Sequence, residues 1–222
     1  MDLNRDLHWI GHASFYIDAG GKRVFIDPFD IRTEIKGKAD LILITHGHFD
    51  HCSREDIDKI ISPGTEIITA PGCLDNAPYK HITIARPGFS KSMGNIVIEA
   101  IPAYNNKDDR LGFHPRANDW VGYILTVDGK KLYHAGDTDY IEEMNNLKGI
   151  YAALLPIGGK YTMDVNEAAL AAKAISAEIT IPMHYKHLLG VEGSAAAEKK
   201  FAADVRGVKV MKEVQEADYS PF

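Results

Sequence analysis

Residues 41–51 read Leu41-Ile42-Leu43-Ile44-Thr45-His46-Gly47-His48-Phe49-Asp50-His51. Four consecutive apolar residues, half of them β-branched, have the pattern of a strand buried on both faces. Three histidines and one aspartate follow within six positions. The order predicts a buried strand that releases a polar cluster at its C-terminal end, where α/β sheets place their sites. Histidine is the commonest metal-binding side chain, and carboxylate joins it where a hard divalent ion must be held. Gly47 relieves crowding between the first two histidines. The plain alternative is a solvated loop that happens to be rich in histidine; such dense ligand types directly after a strand argue against it.

The rest of the chain repeats the arrangement. The run 131–134 leads into Ala135-Gly136-Asp137-Thr138-Asp139, and Ile179-Thr180-Ile181-Pro182 leads into Met183-His184-Tyr185. The run 96–101 leads into Pro102 and a long polar loop that carries His114. Taken singly, an aspartate after glycine is a turn and a histidine after Pro-Met is a core polar group. Their shared position at strand ends makes convergence on one site the better account.

Further apolar runs at 24–26, 67–68, 121–127 and 152–155 read as strands, and Asp128-Gly129 between two runs is a hairpin signal. Ser53 with Asp56 resembles a capping box ahead of Ile57, Ile60 and Ile61, and Pro63-Gly64 ends that helix. Asp164 with Glu167 repeats the signal before an alanine-rich helix reaching Ile175. Ser194 is read as the cap of a third helix through Val205. These apolar stripes are most simply core faces. Residues 104–119 form a polar loop long enough to be functional or mobile; its charges, Lys107, Arg110 and Arg116 against Asp108, Asp109 and Asp119, read as solvated. Strands interleaved with helices predict an α/β (α+β) layered fold of two sheets with helices outside.

The 222 residues fit one domain, 1–222, or a tight pair of half-domains. A 45% hydrophobic content reads as globular, and 25 basic against 31 acidic residues, net −6, argue against a nucleic-acid surface. A small anionic substrate stays compatible, because bound divalent ions reverse the local field. Two cysteines, Cys52 and Cys73, cannot make a disulfide framework; Cys52 is read as a small buried residue beside the cluster. No apolar run of signal-peptide or membrane-spanning length is present, so no membrane partner and a cytoplasmic setting are expected. Nothing indicates an oligomer.

The segments Trp9-Ile10-Gly11-His12-Ala13-Ser14, Phe25-Ile26-Asp27-Pro28, residues 45–51, Gly136-Asp137-Thr138 and Met183-His184-Tyr185 come in the order found in the metallo-β-lactamase superfamily. The chain resembles its small stand-alone hydrolases, and at superfamily level it is similar to N-acyl-phosphatidylethanolamine phospholipase D and the ascorbate-6-phosphate lactonases. The resemblance implies a four-layer αββα sandwich of two mixed β-sheets flanked by helices. It implies two divalent metal ions, zinc first and manganese, nickel or iron as alternatives. His46 and His48 would hold the first ion, Asp50, His51 and His184 the second, with Asp137 bridging. The first ion normally takes a third histidine just after a central strand, where this chain reads Ala103-Tyr104-Asn105; His114 is the candidate replacement, with Asn105 or water as the alternative.

The expected chemistry is hydrolysis by a metal-bound hydroxide, with Asp50 and Asp137 catalytic and Asp50 the proton acceptor. Lys160, Tyr161 and Asn105 are candidate substrate-binding residues; Gly158-Gly159 ahead of a helix suits an anion and equally suits a plain connection. His12 and Asp27 are expected to hydrogen-bond to metal ligands. His8, His81, His134 and His187 are read as structural or surface residues. A small phosphodiester is the first substrate class and a lactone or carboxylic ester the alternative; a non-catalytic metal- or RNA-binding protein is the reading from another class. A redox di-iron role is disfavoured, since redox members carry a carboxylate where His48 stands.

Overall fold

The computed structural model describes residues 1–32, 35 and 37–214. They divide into two compact units: Met1–Ala85 together with the stretch from Met211, and Arg86–Val210. Each carries one mixed six-stranded sheet with helices, so the expected pair of mixed sheets is present.

The first unit contains α1 (Leu3–Asp6), β1 (Leu7–Gly11), β2 (Ser14–Ala19), β3 (Lys22–Ile26), β4 (Leu41–Ile44), α2 (Arg54–Ile60), β5 (Glu66–Thr69) and β6 (Ile82–Ile84). The strands lie in sequence order. β1, β2 and β3 pair antiparallel, and β3 to β6 pair parallel. β1 therefore runs in the same direction as β3 and β4, so their C-terminal ends share one edge of the sheet. That edge carries His12, Asp27 and residues 45–51. All four residues of β4 are buried, as a run of four aliphatic side chains demands. Ser53 caps α2 through the Asp56 N–H, and Ile57 and Ile60 of α2 pack with Phe25, Ile42, Ile44 and Ile67.

The second unit contains β7 (Ser90–Met93), β8 (Ile96–Pro102), β9 (Val121–Val127), β10 (Lys130–His134), β11 (Ile150–Pro156), α3 (Val165–Ile175), β12 (Ile179–Met183) and α4 (Lys186–Asp204). The strand order is β12-β11-β10-β9-β8-β7. β7 to β10 pair antiparallel and β10 to β12 parallel. Two antiparallel steps leave β8 parallel to β10, so β8, β10, β11 and β12 all end at one edge. The segments beginning at Ala103, Ala135 and His184 emerge there. Asp128-Gly129 makes the tight β9–β10 turn, both residues with positive φ.

Two expectations are corrected here. Ser194 does not start a helix: α4 begins at Lys186 and kinks at Gly190 (φ 65°), and Ser194 lies buried inside it. Glycine tolerates that left-handed φ where another residue would be strained, and an apolar-stripe reading misses a first turn that a glycine cuts off from the rest. Arg110 is not a solvated loop charge; it is buried and ion-paired to Asp139 and Glu167.

Candidate metal centre

In the first unit, Asp27 is fully buried after β3. Its carboxylate accepts from the Thr45 N–H (2.7 Å), the Thr45 hydroxyl (2.6 Å) and His51 Nδ1 (2.8 Å). A carboxylate acceptor fixes His51 with its proton on Nδ1 and leaves Nε2 as the lone-pair nitrogen. The Thr45 hydroxyl spends its one proton on Asp27, so towards His46 Nδ1, 3.0 Å away, its oxygen is the acceptor. His46 thus also carries its proton on Nδ1, and its Nε2 stands 3.0 Å from His48 Nδ1. One buried carboxylate sets the tautomer of two histidines. Asp27 hydrogen-bonds to His51 directly, with Thr45 as a relay to His46 that sequence reading missed.

Asp50 lies 3.0 Å, through Oδ2, from His12 Nε2, and the same oxygen is 3.9 Å from His51 Nε2. Ligand atoms of His12, Asp50 and His51 all fall within 4.8 Å of one another. His12 (φ 51°) and Asp27 (φ 47°) both have left-handed backbones, a strain that surrounding contacts must hold in place. The Trp9 indole contributes by donating to the His12 carbonyl at 3.0 Å. Cys52 is committed elsewhere: its Sγ is 3.2 Å from the Cys73 carbonyl. The neighbouring Cys73 thiol holds the Cys52 pKa below the usual thiol value, and the Cys52 thiol, with burial, pushes that of Cys73 up. Beside this loop lies a cavity of about 1050 Å³ whose wall includes Phe29, Ile31, Phe49 and Ile60. Phe49 is 78% exposed, a large apolar surface for a residue between two candidate ligands.

In the second unit, His184 Nε2 and His114 Nε2 approach the same oxygen, Asp137 Oδ2, at 3.0 and 3.3 Å. All three residues are buried. Two imidazoles converging on one buried carboxylate oxygen is a donor set of the mixed nitrogen and oxygen type that suits zinc, manganese, nickel or iron. The histidines and carboxylates present fit a divalent cation. His184 adopts a left-handed φ of 56°, and its carbonyl sits against Gly158 so closely that a Cβ there would overlap it.

Asn105 is buried, donating to Asp139 Oδ1 and the Tyr161 carbonyl (both 3.0 Å) and accepting from His114 Nδ1 at 2.8 Å. Its amide, expected at substrate, is spent on the protein. Tyr161 stacks edge-on against the half-exposed Phe113 at 4.8 Å, and Lys160 Nζ lies 4.9 Å from the Tyr161 ring centre. The Gly159 N–H donates to Met163 O (3.1 Å), so the Gly158-Gly159 turn serves backbone packing. Buried His134 accepts from the Gly136 N–H at 3.2 Å, a structural histidine. Burial opposes the charge on Arg110, but Glu167 and Asp139 outweigh it and hold its pKa above the ordinary value.

A family model described as "Beta-lactamase superfamily domain" matches residues 6–184. A metal-dependent hydrolase of Methanoregula boonei is 35% identical over 97% of this chain and 93% of its own length. One of Pyrococcus abyssi is 32% identical over 95% and 97%. A crystal structure from Parabacteroides distasonis is 34% identical, covers 93% of this chain and 92% of its own, and superposes with a TM-score of 0.82.

Proposed function

The chain belongs to the beta-lactamase superfamily of metal-dependent hydrolases, and from that premise we propose that it is a binuclear enzyme cleaving a small phosphodiester. The observation that carries this reading is the buried Asp137 oxygen faced by two imidazole nitrogens. In this proposal His46, His48 and His114 would hold the first ion, Asp50, His51 and His184 would hold the second, and Asp137 would serve as a further ligand. Zinc is the first choice. A pair of divalent ions supplies an acidified water and Lewis-acid polarisation of the scissile bond.

The protein's own groups do the remainder. Asp50, held by His12, takes the proton released as the ester bond is attacked and returns it to the leaving oxygen. Asp27 keeps His46 and His51 presenting Nε2. Lys160 and Tyr161 face the anionic substrate. The substrate is a small molecule and the setting cytoplasmic; among the described residues no helix is long and apolar enough to cross a membrane.

Metal analysis of the purified chain and a panel of phosphodiester, phosphomonoester, lactone and thioester test the reading, with Asp50→Ala as control. Close to two divalent ions per chain are expected, and phosphodiester cleavage falling about 10²–10⁴-fold in Asp50→Ala. Faster turnover of the lactone would move the substrate class to carboxylic esters. Equal rates in wild type and Asp50→Ala would remove Asp50 from catalysis, and metal bound without turnover of any ester would leave a non-catalytic metal protein.

A further inference from the structure

Asp139 follows the Gly136-Asp137-Thr138 segment and has no part in the proposed ligand set, yet it is fully buried and its carboxylate accepts three hydrogen bonds and makes one ion pair. Oδ1 accepts from Asn105 Nδ2 at 3.0 Å and is ion-paired to Arg110 Nη1, also at 3.0 Å. Oδ2 accepts from the backbone N–H of Asn106 (2.8 Å) and of Lys107 (3.0 Å). Arg110 is held in turn by Glu167 Oε2 at 2.6 Å and by the Thr162 carbonyl. A carboxylate this deeply buried is tolerated only with such full satisfaction.

The donors belong to the start of the loop that delivers His114. Asn105 and His114 close that loop, the Asn105 N–H donating to the His114 carbonyl at 2.9 Å. Both hydrogens of the Asn105 amide are placed, one on Asp139 and one on the Tyr161 carbonyl. Its oxygen must therefore face the other way, where it accepts from the His114 N–H (3.0 Å) and from His114 Nδ1 (2.8 Å). An amide oxygen can only accept, so the neutral His114 ring carries its proton on Nδ1 and presents Nε2, the nitrogen beside Asp137.

We infer that Asp139 is a positioning residue which, by orienting the Asn105 amide, selects the His114 tautomer that offers Nε2 to a cation. It does for a loop histidine what Asp27 does for the histidines after β4. The inference rests on the reading of His114 as a metal donor, and the test separates the two. Full-length chain labelled with ¹⁵N-histidine, zinc-free and zinc-loaded, gives the tautomer of each ring from two-bond ¹⁵N–¹H correlations; competition with a chromophoric chelator gives zinc affinity.

In wild type His114 is expected to be protonated at Nδ1 in both states. Asp139→Asn, isosteric but able to turn a donor towards Asn105, should shift His114 towards the Nε2–H form and weaken zinc about 10–100-fold. The rings of His46 and His51 should keep their form. Asn105→Leu, which removes the acceptor at similar volume, should do the same. An Nε2–H His114 in zinc-free wild type overturns the inference without any variant. A folded Asp139→Asn chain with unchanged tautomer also overturns it. A shifted tautomer with unchanged zinc affinity upholds the relay and removes His114 from the metal reading.

Discussion

The Thr45 side chain joins Asp27 to His46 through a single hydroxyl, and that makes it separable from the rest of the centre. Thr45→Val keeps volume and β-branching but strips Asp27 of one donor and His46 Nδ1 of its acceptor. A loss of about 1–3 kcal/mol in stability is expected, since two buried polar groups lose a partner. Metal affinity should fall about 10–100-fold, as it does when an outer partner of a ligand is removed. The His51–Asp27 bond is untouched, so metal loss should be partial; full retention of both ions in chelator titrations would show that the hydroxyl orients nothing. Asp6 offers a residue-scale pH test. The Arg5 guanidinium, with the Asp2 N–H, lowers its pKa from 3.8 to about 2. A depressed folded-state pKa contributes stability above the unfolded value and loses it as pH falls towards about 2. Asp6→Asn should therefore melt lower than wild type at pH 7, with the gap closing in acid; a gap independent of pH would mean that the carboxylate charge is irrelevant. At this scale the sequence exposes groups whose chemistry is local. Residues 46–51 were legible because the ligand types sit side by side. Asp139 and Arg110 were not, because their meaning comes from partners 29–57 positions away, and a charge in a polar loop looks the same whether solvated or buried.

Elements were legible where apolar periodicity met a turn or cap signal. β4, β9, β11, α2 and α3 all have it, and Ser53 and Asp164 cap their helices as read. β6 and β7 lie on exposed or half-exposed ground, Ile82-Thr83-Ile84 and Ser90-Lys91-Ser92-Met93, and carry too little apolar pattern to announce themselves. Their pairing is decided by neighbouring strands, as edge strands often are. α4 was misplaced for a different reason: a glycine interrupts it after its first turn. Asp164→Ala should cost about 1 kcal/mol by removing the cap of α3, read as a lower urea midpoint at unchanged slope. A harsher test applies where β11 meets the residue after β12. A Cβ on Gly158 would overlap the His184 carbonyl and come within 2.7 Å of Leu188 Cδ1. Backbone cannot yield as a side-chain tip does, so Gly158→Ala should cost about 1–3 kcal/mol and displace His184. Weakened zinc binding alongside lower stability is expected; a stable variant with full zinc affinity would mean that the close approach does not set the position of His184.

At the scale of the whole molecule, the topology repeats one device. In each sheet the strands that run in the same direction end together, and the polar segments after them carry the candidate ligands. β1, β3 and β4 deliver His12, Asp27 and residues 45–51; β8, β10 and β12 lead to His114, Asp137 and His184. Buried strands fix where each backbone ends, and the connections from there, short except for the long loop that carries His114 and is tied back by Asn105, leave little freedom for the side chains, which is the arrangement a preorganised metal site needs. The proposed function draws on both donor sets, and that has a thermodynamic consequence. A ligand bound only by the folded state raises stability by RT ln(1 + [L]/Kd), about 2.7 kcal/mol at a hundredfold excess over Kd. Zinc should therefore raise the Tm of wild type in a concentration-dependent way, and chelation should reverse the gain. Asp50→Ala, in the first unit, and Asp137→Ala, in the second, should each diminish the zinc-dependent increment, because each removes a donor that the other unit cannot replace. Calorimetric scans across a zinc series check this. If Asp137→Ala left the increment whole while Asp50→Ala abolished it, the first unit would bind metal by itself and the shared assignment of Asp137 would fall.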